Sequence, residues 1–239
     1  MLFYTYVRIN RSNYTIRSIR RVLVMKKISI FLLLLLVSFS FACTKRSRIE
    51  ALINAYSGRV TVNKIPVMGS GIPVIFGDRV ETGDKSFCTI LVGDKNIFRL
   101  GANSSLVFNI SQEKNILLLE KGWFSGVTRK AFTRQARYLI QSPTITASIR
   151  GTSYCAKVED TANTYFCVCN GSIDLADSLT GNGETVSASH HTARRFTRDR
   201  KGKITVDRNP GMHYHDDAGV ESLAGVINEK IDWTAPDGK

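Results

Sequence analysis

Short runs of β-branched and aromatic side chains, each closed by Gly, Asp or Asn, dominate the chain from Ser57 to about Val206. Arg59–Val62, Cys88–Val92 and Ser105–Ile110 are typical of these runs. Runs of this length and composition, separated by turn residues, predict β-strands. A sustained helical period does not occur between them. The pattern therefore predicts an all-β domain, built as a sandwich, a barrel or a solenoid.

The remaining β-type runs of this region follow the same pattern. They are Ile75–Val80, Ile97–Leu100, Ile116–Leu119, Trp123–Thr128, Tyr138–Gln141, Thr144–Ile149, Ser153–Val158, Thr164–Cys169, Ser172–Leu175 and Glu184–Ser189. Turns are predicted at Thr82–Asp84, Lys121–Gly122 and Thr180–Gly183, and a hairpin is predicted around Glu159–Asn163. Thr192–Lys203 is polar and basic, which predicts an exposed segment.

The C-terminal part of the chain has a helical period instead. Apolar residues recur there at Val220, Leu223, Val226, Ile227 and Ile231. Asp216 and Asp217 precede them, and acidic residues are favourable at the N-terminal end of a helix. We therefore expect one amphipathic helix, roughly Ala218–Ile231, that packs on its own domain rather than on a partner. At the other end of the domain, Ser47–Tyr56 is expected to form a short helix.

An apolar run before the domain carries the clearest signal for location. Met25-Lys26-Lys27 precedes fifteen uncharged residues, Ile28–Ala42, and Cys43 follows directly. A short basic start, an apolar run and a small residue before a cleavage point predict an export signal. A cysteine at this place is similar to the signal of bacterial lipoproteins, in which the thiol is acylated and the chain is cut in front of it, although Ser40 stands where such signals usually carry Leu. Cys43 is therefore the expected lipidation site.

Two other interpretations of the apolar run stay open, a simple secretory signal and a transmembrane anchor. Fifteen residues at ~1.5 Å each span roughly 22 Å, which is short of a bilayer core of about 30 Å. Residues 1–24 carry five arginines and no acidic residue. They are interpreted either as the product of a start codon assigned too far upstream or as a short basic cytoplasmic arm.

Charge is informative only from Cys43 onward. That part of the chain has 26 basic and 20 acidic residues, a net charge of +6, which is typical of a soluble surface. A location outside the cytoplasm argues against nucleic acid as a partner and against ATP-dependent chemistry. A basic segment, Arg129–Arg137, is expected to be a solvated hinge, and the alternative is a contact with an acidic glycan or a lipid headgroup.

Four further cysteines remain in an exported chain that could form disulfides, Cys88, Cys155, Cys167 and Cys169. Cys167 and Cys169 are two residues apart on a predicted strand, so their side chains share one face. A turn centred on Thr161 would place Cys155 opposite Cys167. A cross-strand disulfide is one interpretation of this pair, and small buried hydrophobic side chains are the other.

Histidines provide the candidates for metal binding. The best candidate is the group His213, His215, Asp216 and Asp217, because imidazoles and carboxylates are suitable ligands. A solvated segment that starts a helix explains the same residues, and His190-His191 is a weaker candidate. The sequence contains no Gly-rich phosphate loop, nucleophile motif or convincing carboxylate pair. We therefore expect no catalytic residue, no cofactor and no metal centre.

Six short motifs occur in a fixed order within the β region. They are Gly77–Gly83, Leu91–Leu100, Leu118–Gly122, Ser142–Ala147, Ile149–Tyr154 and Cys169–Ile173. Together they resemble the FecR domain, a periplasmic β-rich module. The resemblance implies a FecR-like β-rich sandwich or solenoid. It also implies a relation to a signal transducer that has a cytoplasmic segment for a sigma factor, one transmembrane helix and this periplasmic module.

The sequence thus predicts five parts. They are an extension (1–24), a lipoprotein signal peptide (25–42), a tether (43–56), a FecR-like all-β domain (57–206) and a tail with the amphipathic helix (207–239). We expect non-catalytic binding or sensing at the cell envelope, on the periplasmic face or the outer membrane, with a lipid anchor and a protein or glycan ligand. The alternatives are a transmembrane regulator of a sigma factor and an envelope enzyme.

Overall fold

A computed structural model describes residues 51–110, 115–129 and 138–235 of the 239-residue chain. The predicted extension, the signal peptide and Cys43 lie outside these ranges, as does most of the basic segment 129–137. Within the described ranges the chain forms fifteen β-strands and one α-helix. This confirms the predicted all-β class with a C-terminal helix.

The strands are numbered in chain order. They are β1 (Ala51–Ser57), β2 (Val60–Val62), β3 (Ile65–Pro66), β4 (Asp78–Thr82), β5 (Phe87–Val92), β6 (Asn96–Leu100), β7 (Ser105–Ile110), β8 (Asn115–Thr128), β9 (Tyr138–Gln141), β10 (Ile145–Ile149), β11 (Ser153–Val158), β12 (Asn163–Asp177), β13 (Gly183–Ala188), β14 (Thr192–Arg198) and β15 (Ile204–Asp207). The helix, α1, is Asp217–Val226.

The strands form two sheets that share two long members. Sheet I has the order β1-β5-β6-β8-β11-β12-β14-β15, and sheet II has the order β3-β2-β4-β7-β8-β9-β10-β12-β13. All neighbours are antiparallel except β8 and β9, which run parallel. One continuous core draws side chains from both sheets, such as Phe98 and Phe166 from sheet I and Leu106 and Ile140 from sheet II. This is the arrangement of a sandwich.

Each long strand passes from one sheet into the other at a glycine. In β8, residues up to Lys121 pair with β7, and residues from Gly122 onward pair with β6 and β11. Gly122 has a φ of 88°, and a Cβ there would lie 2.5 Å from the Cα of Ser104, so no other residue fits without displacing the neighbouring backbone. In β12 the change of partners comes at Gly171, with a φ of 118°.

These crossings correct two expectations. Lys121–Gly122 is not a turn, and the predicted strands Ile116–Leu119 and Trp123–Thr128 are the two ends of β8. The predicted strands Thr164–Cys169 and Ser172–Leu175 are likewise both parts of β12. Glycine with a positive φ is compatible with a chain reversal and with a bend in a continuous strand, and only the pairing partners distinguish the two.

Two further segments differ from expectation. The predicted helix Ser47–Tyr56 is wrong over its described part, because Ala51–Ser57 pairs with β5 as a strand. The β domain therefore includes residues that were assigned to the tether. Thr192–Lys203, expected to be exposed, contains β14, which pairs with β12 and buries Phe196.

Alternate residues of sheet I face opposite sides. Phe98, Tyr154 and Phe166 point into the inner core between the sheets, which we define as the large buried cluster. Their neighbours in sequence point away from it into a second, smaller cluster. We call this second group the outer cluster, and its buried members are Ile97, Val127, Cys155, Tyr165, Cys167, Cys169, Val220, Leu223, Ala224 and Ile227.

The helix α1 covers the outer cluster, which confirms that it docks on its own domain. It begins after Asp216, whose side chain accepts a hydrogen bond from the N–H of Gly219 at 2.8 Å and caps the helix. It buries Val220 and Leu223 against sheet I. The helix ends at Val226, short of the predicted Ile231, and Asn228 just beyond it adopts a left-handed φ of 55°.

Candidate metal centre

The cysteines of β12 lie on the outer face of sheet I. Cys167 and Cys169 are both fully buried, and Cys155 on β11 is paired with Cys167, as the sequence predicted. All four described cysteines are free, buried thiols, so the structure follows the second interpretation of Cys155 and Cys167, as small buried side chains, and not the cross-strand disulfide. Cys88 faces the inner core, where burial raises the pKa of its thiol to about 12.

His191 reaches the cysteines from the turn between β13 and β14. It has a left-handed φ of 45°, and its backbone N–H donates to the carbonyl of Cys169 at 3.0 Å. This anchors the turn beside β12 and brings Nδ1 of the imidazole to 3.6 Å from Sγ of Cys167. The side chain of His191 is only 8% exposed.

His215 arrives from the opposite direction, on the segment that follows β15. Residues 208–235 are called the C-terminal segment below. Tyr165 on β12 holds this segment, because its hydroxyl donates to the carbonyl of Gly211 and accepts from the N–H of His213, both at 3.1 Å. Nε2 of His215 then lies 3.3 Å from Sγ of Cys169 and 3.2 Å from Nδ1 of His191.

Four potential ligand atoms therefore converge on one point. All of them lie within 4.8 Å of one another. We call this group the donor cluster, and its members are Cys167, Cys169, His191 and His215. Two thiols and two imidazoles are the ligands of tetrahedral zinc sites.

Acceptors on the far side of each imidazole set its orientation. Oδ1 of Asp217 lies 2.7 Å from Nε2 of His191, and Oδ2 of the same carboxylate lies 3.0 Å from Nε2 of His190. Nδ1 of His215 lies 2.7 Å from the carbonyl oxygen of His213. Because these acceptors need an N–H, the nitrogen of each ring that faces the cysteines is the one that is free to bind a metal ion or a proton.

Trp233 and the end of the C-terminal segment cover the donor cluster. The indole lies against the ring of His191, with centroids 5.2 Å apart and an interplanar angle of 30°. Its Nε1 donates to Glu221 of α1 at 2.7 Å. The fully buried side chain of Asn170 donates to the carbonyls of Asp232 and Ala235 at 2.8 and 2.9 Å, which ties this end to β12.

The electrostatics of the donor cluster favour a thiolate. A hydrogen bond from Cys169, together with the two imidazoles, lowers the pKa of the Cys167 thiol despite its burial. Burial raises the pKa of Cys169, which remains the proton-bearing partner. The hydrogen bond to His191 lowers the pKa of Asp217. The site thus combines a readily ionised thiol, two imidazoles and a supporting carboxylate.

Only some of the metal-binding residues predicted from the sequence lie at the donor cluster. His215 is a donor and Asp217 supports His191, whereas Asp216 caps α1 and the ring of His213 contacts the carbonyl of Pro210 at 2.7 Å. The sequence does not predict that a histidine from each of the two groups lies beside the cysteines. His191 is 24 residues from Cys167, and His215 is 46 residues from Cys169, so no local spacing signals the cluster.

A second feature of the surface is a segment rich in exposed apolar side chains. We call residues 65–76, from β3 to the start of β4, the apolar segment. Ile65 is 70% exposed, Met68 is 86% exposed, and Ile75 and Phe76 are 60% and 49% exposed.

A separate groove of about 390 Å³ lies between β13 and the β14–β15 hairpin. Among the residues that the structure describes, no helix is both long and apolar enough to cross a membrane.

Comparison with protein families finds a match over part of the chain. The family model described as FecR protein matches residues 78–174, which confirms the resemblance predicted from the sequence motifs. The matched region runs from β4 into the second half of β12. It includes Cys167 and Cys169 but neither His191 nor His215, so half of the donor cluster lies beyond it.

Comparison with individual proteins gives two distant structural similarities and no match among curated sequences. The search of curated sequences found no match. Two solved structures described as a "putative anti-sigma factor from Parabacteroides distasonis ATCC 8503" are similar, with 13% and 12% identity and a TM-score of 0.43 each. Each alignment covers 54% of this chain and 59% of the other chain, so this chain matches less than two thirds of either neighbour's length.

Proposed function

We propose, from the premise that residues 78–174 form a FecR domain, that this protein is a non-catalytic signal-transduction module of the cell envelope. The family match carries the proposal, because it spans most of the strands that build both sheets. The motifs within it fall on framework positions such as the crossing glycines Gly122 and Gly171. A module of this kind acts by binding a ligand and transmitting the effect of that binding.

A protein is the ligand that we propose, and the apolar segment is its contact surface. Large apolar side chains grouped on a surface mark sites of interaction. Met68 and Ile65 are the most exposed of the group. Gly71, with a φ of 77°, turns the chain between them and Phe76. A glycan, the other ligand expected from the sequence, would favour a polar surface with several planar aromatic faces, whereas Phe76 is the single aromatic residue of this segment and its other exposed large side chains are aliphatic.

Lipid on Cys43 is the proposed anchor, and it supports the envelope location. Cys43 stands eight residues before β1, so the anchor would keep the domain close to the membrane. Intact mass of the protein purified from its native membrane tests this part. A chain that begins at an acylated Cys43 would support it. A chain that still carries Met25 or Met1 would contradict it, and a sigma-factor pull-down would then test the transmembrane regulator.

The signalling role is tested in cells that lack the gene. We expect the deletion to change transcription of a defined set of genes, and the wild-type chain to restore it. The double variant Met68→Asp with Phe76→Asp should fail to restore it. Leu179→Asp is the matched control, because Leu179 is also an exposed apolar side chain (71%) but lies in the β12–β13 turn. Unchanged transcription in the deletion strain would contradict the proposal.

Contact with a protein is tested by photo-crosslinking in the same cells. A photoreactive residue at Met68 should give one discrete protein adduct, and the same residue at Leu179 should give none. A glycan adduct at Met68 would indicate that the ligand is a glycan and not a protein. Equal adducts at both positions would show that the apolar segment has no special role.

A further inference from the structure

We propose that the donor cluster binds one zinc ion, with all four of its residues as ligands. The inference does not depend on the signalling role, because it rests only on the geometry around β12. Two of the ligands come from one strand, one from a turn and one from the C-terminal segment. Such a site would join three parts of the chain that are distant in sequence.

The distances between the donor atoms fit a tetrahedral ion. Zn–S bonds of about 2.3 Å and Zn–N bonds of about 2.0–2.1 Å separate tetrahedral ligands by roughly 3.3–3.8 Å. The two imidazole nitrogens lie 3.2 Å apart, two of the four nitrogen–sulfur distances are 3.3 and 3.6 Å, and the remaining donor pairs lie within 4.8 Å. All four donor atoms lie within 4.8 Å of one another, so shifts of about 1 Å or less bring them to the spacing of a tetrahedral ion.

The surroundings of the cluster support the same conclusion. Metal-bound histidines donate their second N–H to a carboxylate or a carbonyl, which fixes the ring and strengthens the ligand. Asp217 serves His191 in this way, and the carbonyl of His213 serves His215, each at 2.7 Å. The two ring nitrogens that face each other at 3.2 Å can then both bind one shared cation.

The charge balance favours a divalent ion with soft character. Zn²⁺ bound by two thiolates and two neutral histidines gives a neutral site, and binding releases the protons that these ligands carry without the ion. Neutrality matters here because Cys167 and Cys169 are fully buried. Tetrahedral sites with two sulfur and two nitrogen ligands select zinc over calcium and magnesium, which prefer oxygen.

A catalytic thiol is the main alternative, because Cys167, His191 and Asp217 also stand in the order of a nucleophile, a base and an orienting acid. Cys167 is 0% exposed and lies beneath the C-terminal segment, so a substrate does not reach it. That arrangement also leaves Cys169 and His215 unexplained. A zinc site accounts for all four residues and needs no substrate access.

Four protein ligands leave no open position, so the proposed site is structural. The ion would hold the C-terminal segment, which includes α1 and Trp233, against sheet I. The family match ends before this segment, so the zinc site would be an addition that this chain makes to the FecR framework. Removal of the ion should release the C-terminal segment and leave the sandwich folded.

Metal content of the purified full chain provides the first test. Metal-free protein, prepared with a chelator and a thiol reductant, is titrated with ZnCl₂ and analysed by elemental mass spectrometry. We expect one zinc per chain. Co²⁺ in its place should give the intense visible absorption of tetrahedral thiolate coordination. Absence of zinc at stoichiometric concentration, or an octahedral cobalt spectrum, would overturn the proposal.

Matched variants identify the ligands. His215→Ala should lose the cobalt spectrum, whereas His213→Ala, two residues earlier on the same segment, should keep it. Cys169→Ser should lose it as well, and Cys88→Ser should keep it, because Cys88 is a buried thiol of the inner core. Asp217→Asn should weaken zinc binding by about 10- to 100-fold, the usual effect of losing a supporting partner. A spectrum unchanged in His215→Ala and in Cys169→Ser would overturn the assignment.

Thiol labelling separates zinc binding from a catalytic thiol and does not require a variant to fold. With zinc bound, iodoacetamide should leave Cys167 and Cys169 unmodified in the native protein. After chelation both should become modified. Rapid modification of Cys167 that is independent of zinc would instead indicate an accessible nucleophile and would overturn the proposal.

Discussion

The inner core and the outer cluster are built from opposite faces of the same strands, yet they are completed in different ways. Phe98, Tyr154 and Phe166 face inward, and the facing sheet buries them. Ile97, Cys155 and other neighbours in sequence face outward, and a short helix with its flanking segment buries them. The two facing sheets are therefore sufficient to bury the inner core. The outer cluster depends on a segment that reaches it only after β15.

This difference explains the chemistry of the two regions. A sandwich interior can be filled with apolar side chains, because two sheets supply enough surface. A ten-residue helix with three buried residues supplies little, so polar links add to it. These links are the hydrogen bonds of Tyr165 and Asn170 and, in our proposal, one zinc ion.

The largest effect should come from the inner core. Phe98 is fully buried, and its ring packs against Phe124 and Tyr138 with centroids 5.5 and 5.9 Å away. Phe98→Ala should lower the free energy of unfolding by about 3–5 kcal/mol, because it leaves a cavity. Urea denaturation measures the loss. It should be the same with and without zinc, and a loss that appears only in the presence of zinc would contradict the separation of the two regions.

Phe87→Ala is the control for that measurement. Phe87 is partly exposed at the start of β5, and its ring lies under the guanidinium of Arg99 at 5.4 Å. Its loss leaves no closed cavity, so we expect a cost of about 1 kcal/mol. Equal losses for both phenylalanines would indicate that the inner core is less tightly packed than the structure shows.

Zinc should stabilise the outer cluster only. At a free concentration 100 times its Kd, zinc should raise the free energy of unfolding of the wild type by about 2.7 kcal/mol. His215→Ala should show no such rise. Hydrogen exchange should place the protection in the C-terminal segment. Protection spread evenly over sheet II would contradict the comparison.

Truncation of the helix contact should have a smaller effect. Leu223 is buried on the face of α1 that packs on sheet I, and Leu223→Ala should lower the free energy of unfolding by about 2 kcal/mol, the low end for such a change, because the helix can settle into the space. Val226→Ala is the control, since Val226 is 43% exposed. Urea denaturation and hydrogen exchange of residues 217–226 measure both. A larger loss in Val226→Ala would contradict the orientation of α1.

The smallest effect should be a pH dependence that is remote from both clusters. Asp177 at the end of β12 is partly desolvated, but hydrogen bonds from the Leu179 N–H and from Arg198 outweigh this and lower its pKa. The stability that it contributes is therefore present above its unfolded pKa of about 3.9 and is lost as the pH falls through the lower folded value.

Thermal unfolding between pH 2 and pH 7 measures this contribution. Asp177→Asn should be less stable than the wild type at pH 7, and the difference should shrink as the pH falls below about 4. Zinc should not alter the difference at pH 7. A constant difference across the whole range would contradict the lowered pKa.

The sequence predicted the strands well where their ends carry turn residues. β7 and β11 have the predicted bounds, and Cys155 pairs with Cys167 as the hairpin geometry required. β1 lies within the segment for which the sequence predicts a short helix, and the burial of Ala51 and Ile53, two residues apart, is the alternation of a strand. Local propensity was overruled there by pairing with β5.

The donor cluster could be predicted only in fragments. The shared face of Cys167 and Cys169 follows from the period of a strand. The approach of His191 depends on how the β13–β14 turn is anchored, and the approach of His215 depends on the path of a segment without regular structure. These are long-range contacts, and a single sequence gives no distance between them.

The two crossing strands have a mechanical consequence. In a sandwich whose sheets are joined only by loops, a pulling force can peel one layer from the other. Here β8 and β12 each run through both layers, so separating the layers requires breaking hydrogen bonds in both at once. If the domain is anchored and bound by a partner as we propose, it should therefore resist a pulling force as one body and yield in a single rupture.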